Sequence, residues 1–106
     1  MVGFFLSLVM TVTGYCNATG APPYQGITAS GMKANEIVMA CPPEMPFGTV
    51  ILMDGRIFFC MDRGPAIVKG RLDRWFSTCN EAIEWGKQRK EVFIFNESFI
   101  RKSLSE

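Results

Sequence analysis

The sequence predicts an all-β domain, a small β-barrel that carries one short helix. Short apolar segments recur along the 106 residues and are separated by stretches rich in Gly, Pro, Asn and Asp, which is typical of strands and turns. The pair Asp54-Gly55, between two such segments, is a strong signal for a two-residue hairpin. At this length, with 48% hydrophobic residues, the chain is expected to form one domain with its own core.

The first strand is predicted from Leu8 onward, where the side chains alternate along Leu-Val-Met-Thr-Val-Thr. Residues 1–8 form an apolar lead-in, which would also suit an export signal or an anchor. No lysine or arginine precedes Lys33, however, and an apolar run of about ten residues is too short to span a bilayer. We therefore expect no stable membrane insertion.

The remaining elements follow from local patterns. Further strands are expected at residues 36–40, 50–53, 56–61 and 91–95. Thr78 and Glu81 form a capping-box pattern that begins the helix, and the cations of residues 87–90 are expected at its C-terminal end. Residues 96–106 read as a polar C-terminal tail with two apolar residues, Phe99 and Ile100, and a frayed helical turn is the alternative there.

Composition excludes several classes of function. The net charge of +1 gives no support to a nucleic-acid partner, whose phosphates favour a clear basic excess. The chain has no histidine, which removes Ser-His-Asp and Cys-His catalysis and the commonest metal ligand. General acid or base chemistry therefore falls to Asp, Glu, Lys, Tyr or Cys.

Two aspartates are candidates for that chemistry. Asp62 closes an apolar run and Asp73 precedes Trp75-Phe76, so each carboxylate lies beside apolar surface. Burial of a carboxylate raises its pKa unless a partner compensates. The alternative is structural: Asp62 opens a turn, and Asp73 forms an ion pair with a neighbouring arginine.

Five segments in order resemble one family. They are Val12-Thr13-Gly14-Tyr15, Ile27-Thr28-Ala29-Ser30-Gly31, Pro46-Phe47-Gly48-Thr49, Asp62-Arg63-Gly64-Pro65-Ala66-Ile67, and Arg71-Leu72-Asp73-Arg74-Trp75-Phe76 followed by Glu81-Ala82 and Trp85-Gly86. Together they resemble the 3D domain, named for three aspartates, of MltA-type lytic transglycosylases, stationary-phase muralytic proteins and phage relatives. The resemblance covers about residues 9–95 and implies a six-stranded double-psi β-barrel.

The resemblance also implies an activity. Members of the family cleave the β-1,4 bond between N-acetylmuramic acid and N-acetylglucosamine and leave a 1,6-anhydro sugar. It implies that Asp73 is the catalytic acid and that Asp62 supports it. The residues expected to bind the substrate are Tyr15, Thr28, Ser30, Arg63 and Lys69. No cofactor or metal is implied.

The implied partner is the peptidoglycan glycan strand. The protein would act at the bacterial cell wall, in the periplasm, outside the cell or on a virion, as a monomer or as a domain of a larger assembly. Two other classes of function stay open. A non-catalytic polysaccharide-binding module would offer aromatic surface, for which the candidates are Tyr15, Tyr24, Trp75 and Phe76. A virion structural domain would keep the fold alone.

The chain departs from the family pattern at two positions. Alignment on Pro46-Phe47-Gly48-Thr49 places Cys41 where the family has the first of its three aspartates, and Lys69 lies one position late. A regular strand would put Cys60 on the same face as Asp62, so a bridge between Cys41 and Cys60 is one expectation. Buried free thiols are the alternative.

Overall fold

The computed structural model describes residues 5–16 and 26–105 and confirms the predicted all-β class. Six strands form a closed barrel in the order β1-β5-β2-β4-β3-β6. The strands are β1 (Leu6–Tyr15), β2 (Val38–Ala40), β3 (Val50–Met53), β4 (Arg56–Asp62), β5 (Arg71–Trp75) and β6 (Lys87–Phe95). Two helices, α1 (Cys79–Trp85) and α2 (Glu97–Leu104), lie on either side of β6 in the chain.

Two of the strand pairs are parallel, and both lie beside the candidate aspartates. β1 runs parallel to β5, and β2 runs parallel to β4. The remaining neighbours, β1/β6, β2/β5, β3/β4 and β3/β6, are antiparallel. The double-psi connection that the resemblance implies stays a prediction.

The core fills the inside of the barrel. Strand residues with inward side chains are at most 3% exposed; they include Met10, Val12, Met39, Ile51, Met53, Phe58, Leu72, Val92 and Ile94. Full burial of a side chain of this size contributes about 1.5–3 kcal/mol relative to exposure. Because strand side chains alternate, the neighbours of the core residues face outward. Thr13 beside Val12 and Asp73 beside Leu72 are therefore on the outer face.

The hairpin between β3 and β4 forms as predicted. Asp54 and Gly55 both have positive φ angles, 53° and 73°, which a type I′ turn requires. The Asp54 carboxylate lies 3.1 Å from Lys90 Nζ. Asp54 is thus a turn residue with a surface ion pair.

The first helix begins at the predicted cap. The Thr78 hydroxyl accepts a hydrogen bond from the backbone N–H of Glu81 at 3.2 Å, and Thr78 donates to the Glu81 carboxylate at 2.9 Å. The helix ends at Trp85, and Gly86 follows with a φ of 66°. The cations of residues 87–90, predicted at the C-terminal end of the helix, lie in β6 instead. The reason is non-local, since β6 pairs with β1 from Thr13↔Lys87 to Leu6↔Ile94.

The same pairing extends β1 toward its N-terminus, so that strand begins at Leu6, earlier than the predicted start at Leu8. β2 is shorter than predicted and covers only Val38–Ala40. The polar tail predicted for residues 96–106 contains a second helix, α2. Its N-cap Asn96 accepts a hydrogen bond from the N–H of Phe99. Phe99 and Ile100 are buried, so this segment contributes to the core.

Gly14 allows α1 to pack closely on β1. A Cβ atom at this position would lie 2.9 Å from the Phe76 ring and 3.0 Å from the Ala82 carbonyl oxygen. Trp85 donates from Nε1 to the Val12 carbonyl oxygen at 3.0 Å, across the same contact.

Within residues 5–16 and 26–105, no helix is long and apolar enough to cross a membrane.

Candidate active site

Asp73 lies on the outer face of the barrel, next to Thr13. The two residues are direct partners in the parallel β1/β5 pair. The Thr13 hydroxyl donates to Asp73 Oδ1 at 2.9 Å. Among the described residues, Thr13 is the only hydrogen-bond partner of the Asp73 side chain. The pairing of β1 with β5 fixes its position.

A β-bulge brings Asp62 to the same face. Met39 pairs with Cys60, but the next residue, Ala40, pairs with Asp62, so one residue of β4 is skipped. Cys60 remains in the core, fully buried, while the Asp62 side chain turns outward toward Tyr15. The expectation that Cys60 and Asp62 share a face is therefore wrong, because it assumed a regular pleat.

Ala40 also pairs with Asp73, on its other side. The two aspartates thus lie on the two strands that flank β2, one on each side of Ala40, and the usual strand spacing puts their backbones about 10 Å apart. The pairing of β2 with both β4 and β5 brings these two carboxylates, eleven positions apart in the sequence, to the same part of the barrel.

Within the described ranges, no three His, Cys, Asp or Glu side chains cluster as metal ligands.

Asp62 is held by three donors. Tyr15 donates from its hydroxyl to Oδ2 at 2.7 Å, and the backbone N–H groups of Ala29 and Arg63 donate to Oδ1 at 2.8 Å and 2.9 Å. Backbone N–H groups can only donate, so this set of partners suits an ionised carboxylate. Asp62 is thus a fixed negative charge that also anchors the loop containing Ala29.

Asp73 has a raised pKa. Burial is the main cause, because a half-buried carboxylate loses part of its hydration. The hydrogen bond from Thr13 opposes this shift, the negative charge of Asp62 adds to it, and the positive charge of Arg71 opposes it. The net effect keeps a proton on Asp73 to higher pH, as a general acid requires. The environments of the two aspartates therefore suit different tasks.

Tyr15 remains a neutral phenol. Burial raises its pKa above the ordinary value, and the hydrogen bond to Asp62 raises it further. Its hydroxyl hydrogen is already used on Asp62. The predicted substrate role of Tyr15 stays a prediction, while its observed contact positions Asp62.

Thr28 and Ser30 form part of the loop that Asp62 anchors. Their hydroxyl oxygens lie 2.8 Å apart, and Thr28 accepts a hydrogen bond from the N–H of Met32 at 3.1 Å. The N–H of Ser30 donates to the Met61 carbonyl oxygen at 3.2 Å. Both residues thus stabilise the turn beside the site. Binding of substrate by these hydroxyls stays a prediction.

Arg63 points away from Asp73 and toward the segment around Cys41. Its guanidinium donates to the Met45 carbonyl oxygen at 2.8 Å and to Cys41 Sγ at 2.6 Å, and it lies 4.0 Å from the centre of the Phe47 ring. A cation therefore lies beside the position where the family pattern has its first aspartate. The predicted contact of Arg63 with substrate stays a prediction.

Other predicted residues lie apart from the aspartate pair or outside the described residues. Lys69 lines a pocket of about 250 Å³ formed by β1, residues 42–44 and α2, whose lining includes neither Asp62 nor Asp73. Phe76 packs against Trp85 at 5.8 Å between ring centres. Tyr24 is outside the described residues.

Two disulfides join distant parts of the chain. The predicted Cys41–Cys60 bridge is present, with Cα atoms 5.7 Å apart. A second bridge links Cys16 to Cys79, with Cα atoms 5.2 Å apart. The sequence alone does not predict this second bridge, because no local pattern brings the end of β1 to the start of α1.

Comparison with known proteins identifies the fold. The barrel is similar to the crystal structure of MltA from Escherichia coli, with a TM-score of 0.60 and 19% sequence identity over 71% of this chain. A structure of an aspartate-to-alanine variant of the E. coli lytic transglycosylase MltA in an apo form has the same TM-score at 18% identity. The matched region is 28% of the MltA chain, so this chain spans little more than a quarter of it. No protein-family model and no curated protein matches the sequence.

Proposed function

We propose that this chain is a peptidoglycan lytic transglycosylase that cleaves the β-1,4 bond between N-acetylmuramic acid and N-acetylglucosamine. The observation that carries the proposal is the pair of aspartates on the outer face of an MltA-like barrel. Asp73 has a raised pKa, and Asp62 is held as an anion by three donors. A carboxyl group that keeps its proton beside a fixed negative charge suits general acid catalysis.

In the proposed reaction, Asp73 acts first as an acid and then as a base. It donates its proton to the glycosidic oxygen as the bond from that oxygen to C1 of N-acetylmuramic acid breaks. The 6-hydroxyl of the same sugar forms a new bond to C1, and its proton passes to Asp73. One sugar leaves with a free 4-hydroxyl, the other has a 1,6-anhydro ring, and Asp73 is again protonated. No water is consumed, in contrast to hydrolysis by paired carboxylates.

The proposed partner is the glycan strand of the bacterial cell wall, and the proposed location is outside the cytoplasm. The two disulfides support this location, because disulfides persist in oxidising compartments. The match covers 28% of the MltA chain, so the proposal concerns the barrel alone and not the rest of MltA.

A second candidate is a non-catalytic peptidoglycan-binding module. The bridged Cys41 favours it, since a disulfide replaces the first aspartate of the family pattern. Two measurements separate the candidates: release of soluble fragments from purified sacculi, and sedimentation of the protein with insoluble peptidoglycan. A binding module would sediment with the sacculi and release nothing.

The experiment that tests the proposed reaction is mass spectrometry of sacculi digested with the purified protein. We expect muropeptides with 1,6-anhydro ends, which are lighter by one water than the products of hydrolysis. New reducing ends on N-acetylmuramic acid would contradict the proposal and reassign the protein as a hydrolase in which Asp62 or another base activates water.

Asp62→Asn is expected to shift the pH dependence of this activity. The negative charge of Asp62 contributes to the raised pKa of Asp73, so its removal lowers that pKa. Activity of a general acid is lost as pH rises through its pKa, so the falling limb should move to lower pH. At neutral pH we expect a loss of about tenfold, less than for a catalytic acid.

Asp54→Asn is the matched control for this change, because it removes one carboxylate from the remote hairpin. Its pH profile should follow that of the wild-type protein. An unchanged falling limb in Asp62→Asn would show that the two site carboxylates are not coupled.

A further inference from the structure

The Thr13 hydroxyl lies within hydrogen-bonding distance of two acceptors on β5. Its oxygen is 2.9 Å from Asp73 Oδ1 and 3.3 Å from the Leu72 carbonyl oxygen. A hydroxyl has one hydrogen to donate and two lone pairs that accept. The protonation state of Asp73 therefore determines to which of the two acceptors the hydroxyl can donate.

We propose that the Thr13 hydroxyl forms a hydrogen bond with Asp73 in both protonation states of that carboxyl group. Its hydrogen rotates between Asp73 Oδ1 and the Leu72 carbonyl oxygen. When Asp73 is ionised, the hydroxyl donates to Oδ1. When Oδ1 is protonated, the carboxyl O–H donates to Thr13 Oγ1, and the hydroxyl hydrogen turns to Leu72. No heavy atom moves, and Thr13 neither gains nor loses a proton.

This inference rests on the proposed function, in which one carboxyl group is acid and base within a single turnover. A partner that only donates would favour the ionised state alone. Asp62 has two such partners on Oδ1, the N–H groups of Ala29 and Arg63, in addition to the Tyr15 hydroxyl on Oδ2. Among the described residues, the Asp73 carboxylate has a hydroxyl alone, which can donate or accept. The difference between the two sets of partners assigns the two-state role to the Thr13–Asp73 pair.

The backbone keeps Thr13 in position for this role. Thr13 and Asp73 are direct partners in the β1/β5 ladder, so their distance is set by strand pairing. The branched Cβ of threonine restricts its side-chain rotamers, so few orientations compete with the observed one. Thr13 is thus a positioning residue, because it acts on the reaction only through Asp73.

The first test measures the pKa of Asp73 without any substrate. Thr13→Val keeps the shape of the side chain but removes the hydroxyl, and Thr13→Ser is the matched variant that keeps it. We expect ¹³C NMR titration of the Asp73 carboxyl to give a higher pKa in Thr13→Val, since the ionised form loses the stronger, charge-assisted bond. Thr13→Ser should return the pKa toward the wild-type value. Equal pKa values in the two variants, together with no coupling between Thr13 and Asp73 in the double-mutant cycle described next, would overturn the inference, because neither protonation state would then lose a hydrogen bond.

The second test asks whether the hydroxyl also serves the protonated state. A double-mutant cycle combines Thr13→Val with Asp73→Ala, and urea unfolding measures the coupling below and above the pKa of Asp73. We expect coupling on both sides, because each protonation state loses a hydrogen bond to the hydroxyl. Coupling that disappears below the pKa would restrict Thr13 to the ionised state and overturn the two-state role.

The third test is activity on sacculi. Thr13→Val should lose about ten- to a hundredfold, the usual effect of one hydrogen bond to a charged group, and its falling pH limb should move upward. Thr13→Ser should recover most of the rate. Equal rates and equal pH limbs in the two variants would overturn the inference. If the wild-type protein releases no anhydro ends, the proposed function fails, while the titration and the coupling still decide the Thr13 inference.

Discussion

Asp73→Asn is expected to abolish release of anhydro-muropeptides from sacculi and to leave the barrel folded. Asparagine has nearly the shape of aspartate, and its Oδ1 can still accept the hydrogen bond from Thr13. It cannot supply a proton to the leaving oxygen or take one from the 6-hydroxyl. General acid–base catalysis contributes at least about a hundredfold, so the rate should fall by at least that factor. Mass spectrometry of the digest measures it.

The same substitution should stabilise the folded protein at neutral pH. The pKa of Asp73 is raised in the folded state, so the fold holds this proton more strongly than the unfolded chain does. Stability is therefore lost as pH rises from the ordinary pKa of aspartate through the raised one. Asparagine removes this loss. We expect a melting temperature a few degrees higher than that of the wild-type protein at neutral pH, with the gain disappearing in acid.

Asp54→Asn is the control, because Asp54 lies in the hairpin turn and pairs with Lys90 at the surface. It should keep the activity of the wild-type protein. Undiminished activity in Asp73→Asn would contradict the proposed mechanism. An inactive variant with a lower melting temperature at neutral pH would instead point to a structural role for the carboxylate.

Much of the fold could be predicted because its signals are local. Asp54-Gly55 specifies its turn through the positive φ angles that few residue pairs tolerate. Thr78 and Glu81 specify the start of α1 through hydrogen bonds within one helical turn. The inward positions of β1 follow from simple alternation of side chains.

The errors came from contacts that local patterns do not contain. Residues 87–90 have the charges of a helix end, but pairing with β1 makes them a strand. Phe99 and Ile100 look like two apolar residues in a polar tail, yet their burial against the barrel supports a whole helix. Tertiary packing decides such segments, since intrinsic propensities differ by less than about 1 kcal/mol per residue.

In the candidate site, too, the residues with local signals were predictable and the features that depend on strand pairing were not. Asp62 and Asp73 were found from their apolar neighbours and from the resemblance. The bulge that turns Asp62 outward was not, because it depends on the register between β2 and β4. Thr13 was visible only as part of a motif. Its role became apparent from the parallel pairing that places it beside Asp73, 60 positions away.

Loss of the Cys16–Cys79 bridge is expected to destabilise the protein by about 4 kcal/mol. The bridge spans 63 positions, and in the chain-entropy model closing a longer loop in the unfolded state contributes more stability. For the 19 positions between Cys41 and Cys60, the same model gives about 3 kcal/mol. The Cys16–Cys79 bridge also holds α1 against β1 near Gly14. Urea unfolding of a Cys16→Ser/Cys79→Ser variant measures the loss.

The reduced wild-type protein is the matched comparison for that variant. Cys41 and Cys60 are fully buried, whereas Cys16 and Cys79 are only half-buried, so a mild reductant should open the Cys16–Cys79 bridge first. Alkylation followed by peptide mapping would then label Cys16 and Cys79 alone, and the labelled protein should unfold at the same urea concentration as the double variant. Earlier labelling of Cys41 and Cys60, or four reactive thiols before any reductant is added, would contradict the assigned bridges. A double variant as stable as the wild-type protein would show that the chain entropy of the long loop is offset elsewhere in the unfolded state.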